Sequence, residues 1–166
     1  MPSILFVCTA NRFRSPLAAA FLIKSMGKSS GETGWRVESA GTWTEPGLPA
    51  SAAAITIGEQ LDLPGLKSHL TRQVSQELLD GYDLVLTMER GQLEAILSEF
   101  RDASGRTMLL SEVVDGLPYD IPDPIDLSND PGEVASELEA LIDKGADKIL
   151  KTAAAKSLSR GIKPPG

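Results

Sequence analysis

The residues with the clearest chemical potential lie near the start of the chain, where a cysteine is followed six positions later by an arginine. Cys8 comes directly after the apolar run 4–7, which predicts a buried strand, and Pro16 lies in the first turn of a predicted helix. A short loop leading into a helix N-terminus gathers unpaired backbone N–H groups and the positive end of the helix dipole, which suit an anion the size of phosphate. The sequence therefore predicts an anion site that contains a thiol.

The side chains of this loop supply a nucleophile and a cation. The field of the helix terminus favours the thiolate form of Cys8, which is the nucleophilic form. Arg14 presents a planar guanidinium fork that can bind two oxygens of an anion, and Ser15 can direct its hydroxyl at the sulfur. The other members of the predicted phosphate-binding loop are Thr9, Ala10, Asn11, Arg12 and Phe13.

A simpler interpretation of Cys8 stays open from this pattern alone. A lone cysteine after an apolar strand is most often a small buried hydrophobic residue, and a cysteine six positions before an arginine is a weak signal. The strand–loop–helix context, the Ser-Pro pair after Arg14 and an acidic segment far downstream favour the chemical interpretation.

That acidic segment spans residues 119–126 and has the composition of a turn-rich loop. Its carboxylates, Asp120 and Asp123 among them, are either solvated or include a general acid that protonates a leaving alkoxide or phenoxide. Such an acid is worth about 10²–10⁴-fold in rate. Prolines on both sides of Asp123 would hold its carboxyl group in one place.

Length, charge and cysteine content exclude several classes of function. The 166 residues form a chain of single-domain size, and the net charge of −7 argues against nucleic acid or an anionic membrane as partner. No apolar run approaches the roughly 20 residues that span a bilayer, and no signal peptide is visible. The single cysteine excludes an internal disulfide and suits a reducing compartment, so we expect a cytoplasmic protein.

Apolar periodicity predicts an α/β fold: a single-domain, doubly wound, four-stranded parallel sheet with helices on both faces. We expect the domain to cover residues 1–155 and residues 156–166, rich in Ser, Gly and Pro, to form a flexible tail. Thr71 and Asp130 are the predicted caps of two of the helices. The predicted strands are 3–8, 35–40, 84–88 and 107–110, and the predicted helices are 15–27, 49–61, 73–80, 91–100 and 130–151.

The segment V-C-T-A-N-R-F-R-S-P, residues 7–16, resembles the signature V-C-x-G-N-x-C-R-S-P of low-molecular-weight protein tyrosine phosphatases, and departs from it at Ala10 and Phe13. The resemblance continues through residues 38–42, 82–88 and 122–124 in the same order. It implies a metal-independent phosphomonoester hydrolase, needing no cofactor, that forms a cysteinyl-phosphate on Cys8. Arg14 would bind the phosphate and Asp123 would be the general acid, with Asp120 as the fallback.

The resemblance also implies a substrate and its surroundings. The substrate would be a phosphotyrosine-containing protein, and we expect a monomer or weak dimer. Trp43, in the loop after the second strand, is either a surface residue or one wall of the substrate cleft, since such loops surround ligands in open α/β sheets. Asp120 and Ile125 complete the predicted cleft, and His69 is interpreted as a structural residue bonded to Asn11.

Three alternatives remain open from the sequence. Ala10 and Phe13 could deform the loop and leave a catalytically weak phosphate-binding or phosphopeptide-binding module. Some bacterial relatives hydrolyse phosphoarginine, although Arg12 is not the small residue that this substrate would require. Arsenate reduction in this fold relies on further cysteines, and this chain has only one.

Overall fold

The computed structural model describes residues 2–27, 34–124 and 129–161, which form four strands and six α-helices. The strands are β1 Ser3–Cys8, β2 Arg36–Gly41, β3 Leu84–Thr87 and β4 Thr107–Leu109. The helices are α1 Arg14–Met26, α2 Ala52–Gln60, α3 Gln76–Asp80, α4 Arg90–Glu99, α5 Leu110–Asp115 and α6 Pro131–Gly161. A 3₁₀ helix, Arg101–Arg106, links α4 to β4.

The sheet is parallel throughout, with the strand order β2-β1-β3-β4. The predicted α/β fold with a four-stranded parallel sheet is therefore confirmed. The chain leaves β1 toward β2 on one side and later returns to β3 on the other, so the direction of winding reverses beside β1. Ligands of open α/β sheets bind at such a reversal, beyond the carboxyl ends of the strands. Cys8 is the last residue of β1 and lies at this point.

Helices cover both faces of the sheet, because every residue of β1 and β3 is buried and successive side chains point to opposite faces. Ile4, Phe6 and Cys8 pack in a core with residues of α1 and α6, such as Leu17 and Leu138. The opposite core lies toward α3 and α4 and contains Leu5, Val7, Leu79, Tyr82, Val85 and Ile96. The thiol of Cys8 is thus carried on the α1–α6 face of the central strand.

The predicted cap of the third helix was wrong. The helix begins at Gln76, three residues later than predicted, and Ser75 caps it by accepting a hydrogen bond from Leu78 N. Thr71 instead accepts a hydrogen bond from Leu48 N at 2.9 Å and donates to the carbonyl of Glu45. Tertiary pairing of this segment with the loop before α2 therefore outweighs the local capping preference.

Helix α6 continues past its predicted end at residue 151, so that residues 156–161 of the predicted tail are helical. Arg160 donates hydrogen bonds to Asp83 Oδ1 at 3.0 Å and to the carbonyl of Asp80 at 2.6 Å, and Lys156 donates to the carbonyl of Gly105. These contacts tie the last turns to the sheet and outweigh the loop-like composition. Residues 162–166 lie outside the described part of the chain. Within that part, no helix combines the length and apolarity required to cross a bilayer.

Helix α6 packs closely on α5, and Gly145 is the point of closest approach. A Cβ at this position would lie 2.7 Å from Cγ1 of Val114 and closer still to its Cγ2. We expect Gly145→Ala to lower the free energy of unfolding by about 1–3 kcal/mol through overpacking, although alanine favours the helix by about 1 kcal/mol. Urea denaturation measures the change.

Gly91→Ala in α4 is the matched control, because among the described residues no other segment lies within 4 Å of the position that its new methyl group would take. This substitution should leave the unfolding free energy unchanged or slightly higher. Equal stability of the Gly145 and Gly91 variants would contradict the packing that the structure shows.

Candidate active site

The sulfur of Cys8 lies at the base of the loop and is surrounded by donors. Its side chain is buried, with Sγ 3.0 Å from Ser15 Oγ and 3.3 Å from the backbone N–H of Asn11, which donates to it. The side-chain amide of Asn11 donates a hydrogen bond to Ser15 Oγ at 2.9 Å. Ser15 Oγ is the acceptor in this bond, so the single hydroxyl hydrogen of Ser15 can be donated to another atom. Ser15 Oγ lies 3.0 Å from the sulfur of Cys8 and 3.3 Å from Ala40 O, so the sulfur is the nearer of the two atoms. The sulfur of Cys8 thus lies within hydrogen-bond distance of a backbone N–H group and a hydroxyl group.

The loop holds its backbone carbonyls outward, where donors from other segments bind them. The carbonyls of Cys8, Thr9, Asn11 and Arg12 accept hydrogen bonds, in that order, from Thr42 N at 2.9 Å, Trp43 N at 3.0 Å, His69 Nε2 at 2.8 Å and Ser51 N at 2.8 Å. In a trans peptide the N–H points away from the C=O. The N–H groups therefore turn toward the interior of the loop and form a nest for an anion.

Asn11 provides the bend that allows this arrangement. Its φ of 60° lies in the left-handed region, which asparagine tolerates better than most residues. The buried side chain donates to Ser15 Oγ and to Ser39 Oγ, and it accepts from the backbone N–H of Arg72 at 2.9 Å. The strained conformation is thus held by bonds from three separate segments.

The two departures from the family signature, Ala10 and Phe13, are accommodated without a positive φ at either residue. Among the non-glycine residues described, only Asn11 and Asp62 have a positive φ, so Ala10 adopts a conformation that any residue can take. Phe13 is 7% exposed, packs in the α1–α6 core and accepts a hydrogen bond from Leu17 N in the first turn of α1.

Gly41 is required for the close approach of β2 to this loop. A Cβ on Gly41 would lie 2.5 Å from the carbonyl oxygen of Thr9 and 3.1 Å from the Cβ of Asn11. The sequence offered one signal for this role, the match of residues 38–42 to the family, but the contact partner could not be read from it.

Arg14 is buried and its guanidinium is fixed by acceptors on two sides. Nη1 donates to the carboxylate of Glu89 and to the carbonyl of Ile121, the latter at 2.8 Å. Nη2 lies 3.4 Å from Oδ2 of Asp123. The predicted acid and the predicted phosphate-binding cation are therefore brought together. Glu89 was not predicted; its only signal was its position two residues after the end of β3, at the same edge of the sheet as Cys8.

The other predicted cleft residues lie apart from this centre. Asp120 Oδ1 accepts hydrogen bonds from Arg90 N at 2.8 Å and Arg90 Nε at 3.4 Å, so its carboxylate is engaged elsewhere. The side chain of Trp43 is 84% exposed, beside the loop to which its backbone binds. Ile125 lies outside the described residues.

A small cleft of about 220 Å³ opens above the loop. This volume is below the roughly 300–1,000 Å³ of pockets that enclose drug-sized ligands, and it suits a phosphate with one ring-sized group. The lining residues are Cys8, Ala10, Arg12, Phe13, Arg14, Ser51, Ala53, Asp123, Pro124 and Pro131. The walls are thus largely apolar, with charged groups at Arg12, Arg14 and Asp123.

His69 supports the loop from behind, and the predicted bond to Asn11 is confirmed. Burial lowers the pKa of His69; the hydrogen bond to the Asn11 carbonyl opposes this shift and the charge of Arg72 adds to it, so the pKa lies below 6.5. The ring is therefore neutral at pH 7 and donates its Nε2 hydrogen to Asn11 O.

Arg72 also supports the loop, and it belongs to a charged cluster that the sequence analysis missed. Its guanidinium donates to Glu38 Oε2 at 3.0 Å and to Ser39 O at 3.2 Å, and Tyr82 donates its hydroxyl hydrogen to Glu38. Burial raises the pKa of Glu38, but the Tyr82 hydrogen bond and the Arg72 charge outweigh it, so the pKa lies below 4.5. Glu38 thus remains charged and orients Arg72, whose backbone N–H holds Asn11.

The lowered pKa of His69 predicts a pH dependence of stability. At a pH between the His69 pKa of the folded chain and the unfolded value near 6.5, the unfolded chain binds a proton that the folded chain does not. The contribution of neutral His69 to the unfolding free energy is therefore complete above pH 6.5 and is lost as the pH falls. We expect the unfolding free energy of wild type to fall below pH 6.5 more steeply than that of His69→Gln, by at most about 1.4 kcal/mol per pH unit. Denaturant titrations from pH 7.5 to 5.5 measure both slopes; parallel slopes would show that His69 does not titrate as proposed.

Comparison with known proteins identifies the family of this chain. The sequence pattern of the low molecular weight phosphotyrosine protein phosphatases matches residues 3–159. The protein-arginine-phosphatase of Geobacillus stearothermophilus is 35% identical over 150 residues, which are 88% of this chain and 95% of that protein. The low molecular weight protein-tyrosine-phosphatase Wzb of Escherichia coli K12 is 34% identical over 122 residues, 74% of this chain and 77% of that protein. The solved structure of the YwlE arginine phosphatase from Geobacillus stearothermophilus superimposes with a TM-score of 0.78 at 30% identity and covers 100% of both chains. This chain belongs to the low molecular weight phosphotyrosine protein phosphatase family.

Proposed function

We propose that this phosphatase is a metal-independent protein tyrosine phosphatase that uses Cys8 as its nucleophile. The observation that carries the proposal is the meeting of Cys8, Arg14 and Asp123 in one small cleft above an anion nest. Arg14 and the loop N–H groups place positive charge where the phosphate oxygens would lie, so charge stabilisation comes from the chain itself.

In the first step, the Cys8 thiolate attacks phosphorus in line with the leaving oxygen. A P–S bond forms while the P–O bond to the leaving group breaks. Arg14 and the inward N–H groups hold the three other oxygens, and protonated Asp123 transfers its proton to the departing oxygen. The products are a cysteinyl-phosphate and the free alcohol or phenol.

In the second step, water attacks the cysteinyl-phosphate. The Asp123 carboxylate accepts a proton from this water as the new P–O bond forms and the P–S bond breaks. The hydroxyl of Ser15, 3.0 Å from Sγ, stabilises the sulfur as it leaves as a thiolate. Inorganic phosphate is released and Asp123 is again protonated.

Phosphotyrosine is the proposed substrate rather than phosphoarginine, although named relatives include phosphatases of both kinds. Arg12 lines the cleft and brings a positive charge to the place where the guanidinium group of phosphoarginine would have to lie. Repulsion between these two positive charges would disfavour binding of phosphoarginine. The apolar side chains of Ala10, Phe13 and Pro124 suit an uncharged ring.

The single cysteine favours a reducing, cytoplasmic setting for this reaction. Cys8 is a free thiol, and the sequence contains no second cysteine that could protect it as an internal disulfide. Oxidised Cys8 would need an external thiol for recovery, or it would pass to irreversible acids.

The roles of Cys8 and Asp123 can be tested with two aryl phosphates, without added metal. We expect Cys8→Ser to abolish release of phosphate from both compounds. Asp123→Asn should slow phenyl phosphate hydrolysis by about 10²–10⁴-fold and p-nitrophenyl phosphate hydrolysis by less, because the nitro group stabilises the leaving phenolate without a proton.

Asp120→Asn is the matched control, since its carboxylate is bonded to Arg90. It should keep the wild-type rate on both compounds. Equal losses for the Asp120 and Asp123 variants, or equal effects of Asp123→Asn on the two substrates, would overturn the assignment of the acid.

Substrate choice can be tested with two peptides that differ only in carrying phosphotyrosine or phosphoarginine. We expect kcat/KM to be at least about tenfold higher for the phosphotyrosine peptide, equivalent to about 1.4 kcal/mol of discrimination. Stopped assays of phosphate release measure both values, with Cys8→Ser as the blank. A higher kcat/KM on phosphoarginine would make the protein an arginine phosphatase.

A further inference from the structure

Arg12 is a cation in the cleft wall, and no carboxylate among the described residues forms an ion pair with it. Its Nε donates to the carbonyl of Pro49 at 3.0 Å, and it forms no ion pair in the portion of the chain that the structure covers. Five other arginines do pair with carboxylates: Arg14, Arg72, Arg90, Arg106 and Arg160.

The position of the Arg12 side chain is fixed by its surroundings. The residue is half-buried, its backbone carbonyl accepts from Ser51 N at 2.8 Å, and Pro49 is bridged to Leu70 in the neighbouring segment. Because Nε faces Pro49, the two Nη groups present the remaining donors of the fork. Part of the entropy cost of ordering this long side chain is already met before any ligand binds.

The charge of Arg12 is not required for the phosphate itself. Arg14 and the inward N–H groups already surround the anion position above Cys8, and the carboxylate of Glu89 is paired with Arg14. Arg12 therefore leaves one uncompensated positive charge at the side of a cleft in a protein of net charge −7. A fork of this kind matches the two oxygens of a carboxylate.

We propose that Arg12 binds the carboxylate of an aspartate or glutamate adjacent to the phosphotyrosine, so that acidic phosphotyrosine peptides are the preferred substrates. This inference rests on the proposed tyrosine phosphatase function and names the sequence context that the same site selects. The phosphate binds in the nest, and the neighbouring acidic side chain binds the Nη groups of Arg12.

The test uses two phosphotyrosine peptides that differ only at the flanking positions, which carry glutamate in one and glutamine in the other. For wild type we expect kcat/KM to favour the glutamate peptide by about fivefold to thirtyfold, chiefly through KM, and the ratio to shrink as salt rises. Arg12→Met should reduce the ratio to near one, and Arg12→Lys should restore part of it.

Arg101→Met is the matched control, because it removes the same charge from an exposed residue that does not line the cleft. It should keep the wild-type ratio, which excludes an effect of net charge alone. A wild-type ratio near one, or a ratio that survives in Arg12→Met, would overturn the inference while phosphatase activity persists.

Two further outcomes separate the inference from its alternatives. If Arg12→Met lowers kcat/KM equally for both peptides and this loss does not depend on salt, the guanidinium stacks on the tyrosine ring. The proposal that Arg12 binds a neighbouring carboxylate would then be wrong. If wild type hydrolyses neither peptide, the proposed function itself fails, which is distinct from a loss of preference between them.

Discussion

The outward turn of the loop carbonyls is the constraint on which the rest of the site depends. Each carbonyl that faces away from the anion must find a donor in the protein, since an unpaired buried polar group is costly. The loop around Thr42 and Trp43, the start of α2 at Ser51 and the segment at His69 supply these donors. Three stretches far apart in sequence therefore have to be in place before the nest can bind a phosphate.

Much of this molecule could be predicted from local patterns, and the exceptions share one cause. The Cys8 loop, the parallel sheet and the Asp130 cap, which accepts from Glu133 N, all follow from short stretches of sequence. Other features depend on which strands become neighbours, and local periodicity does not predict this. They are the contacts of Glu89 and Arg72 and the close approach of Gly41 to the loop. The end of α6 was misplaced for the same reason, because its contacts with Asp80 and Asp83 lie far away in the chain.

The two arginines of the loop illustrate how identical side chains acquire different properties. Arg14 is buried and bonded by Glu89, Asp123 and a backbone carbonyl, so its orientation is set by acceptors. Arg12, two residues earlier, has one neutral side-chain acceptor within the described ranges, the carbonyl of Pro49, and its positive charge lies at the cleft. Sequence spacing places both arginines in the loop. Only the carboxylates around Arg14 distinguish it, as the residue that would bind the phosphate, from Arg12 in the cleft wall.

The course of α6 also bears on how the chain reaches its native state during synthesis. This helix contributes Val134, Leu138, Ile142 and Ile149 to the core that contains β1, and Arg160 in its last turn donates a hydrogen bond to Asp83, directly before β3. A ribosome releases β1 long before it releases α6. The apolar face of β1 and α1 therefore stays uncovered until the residues of α6 have been synthesised.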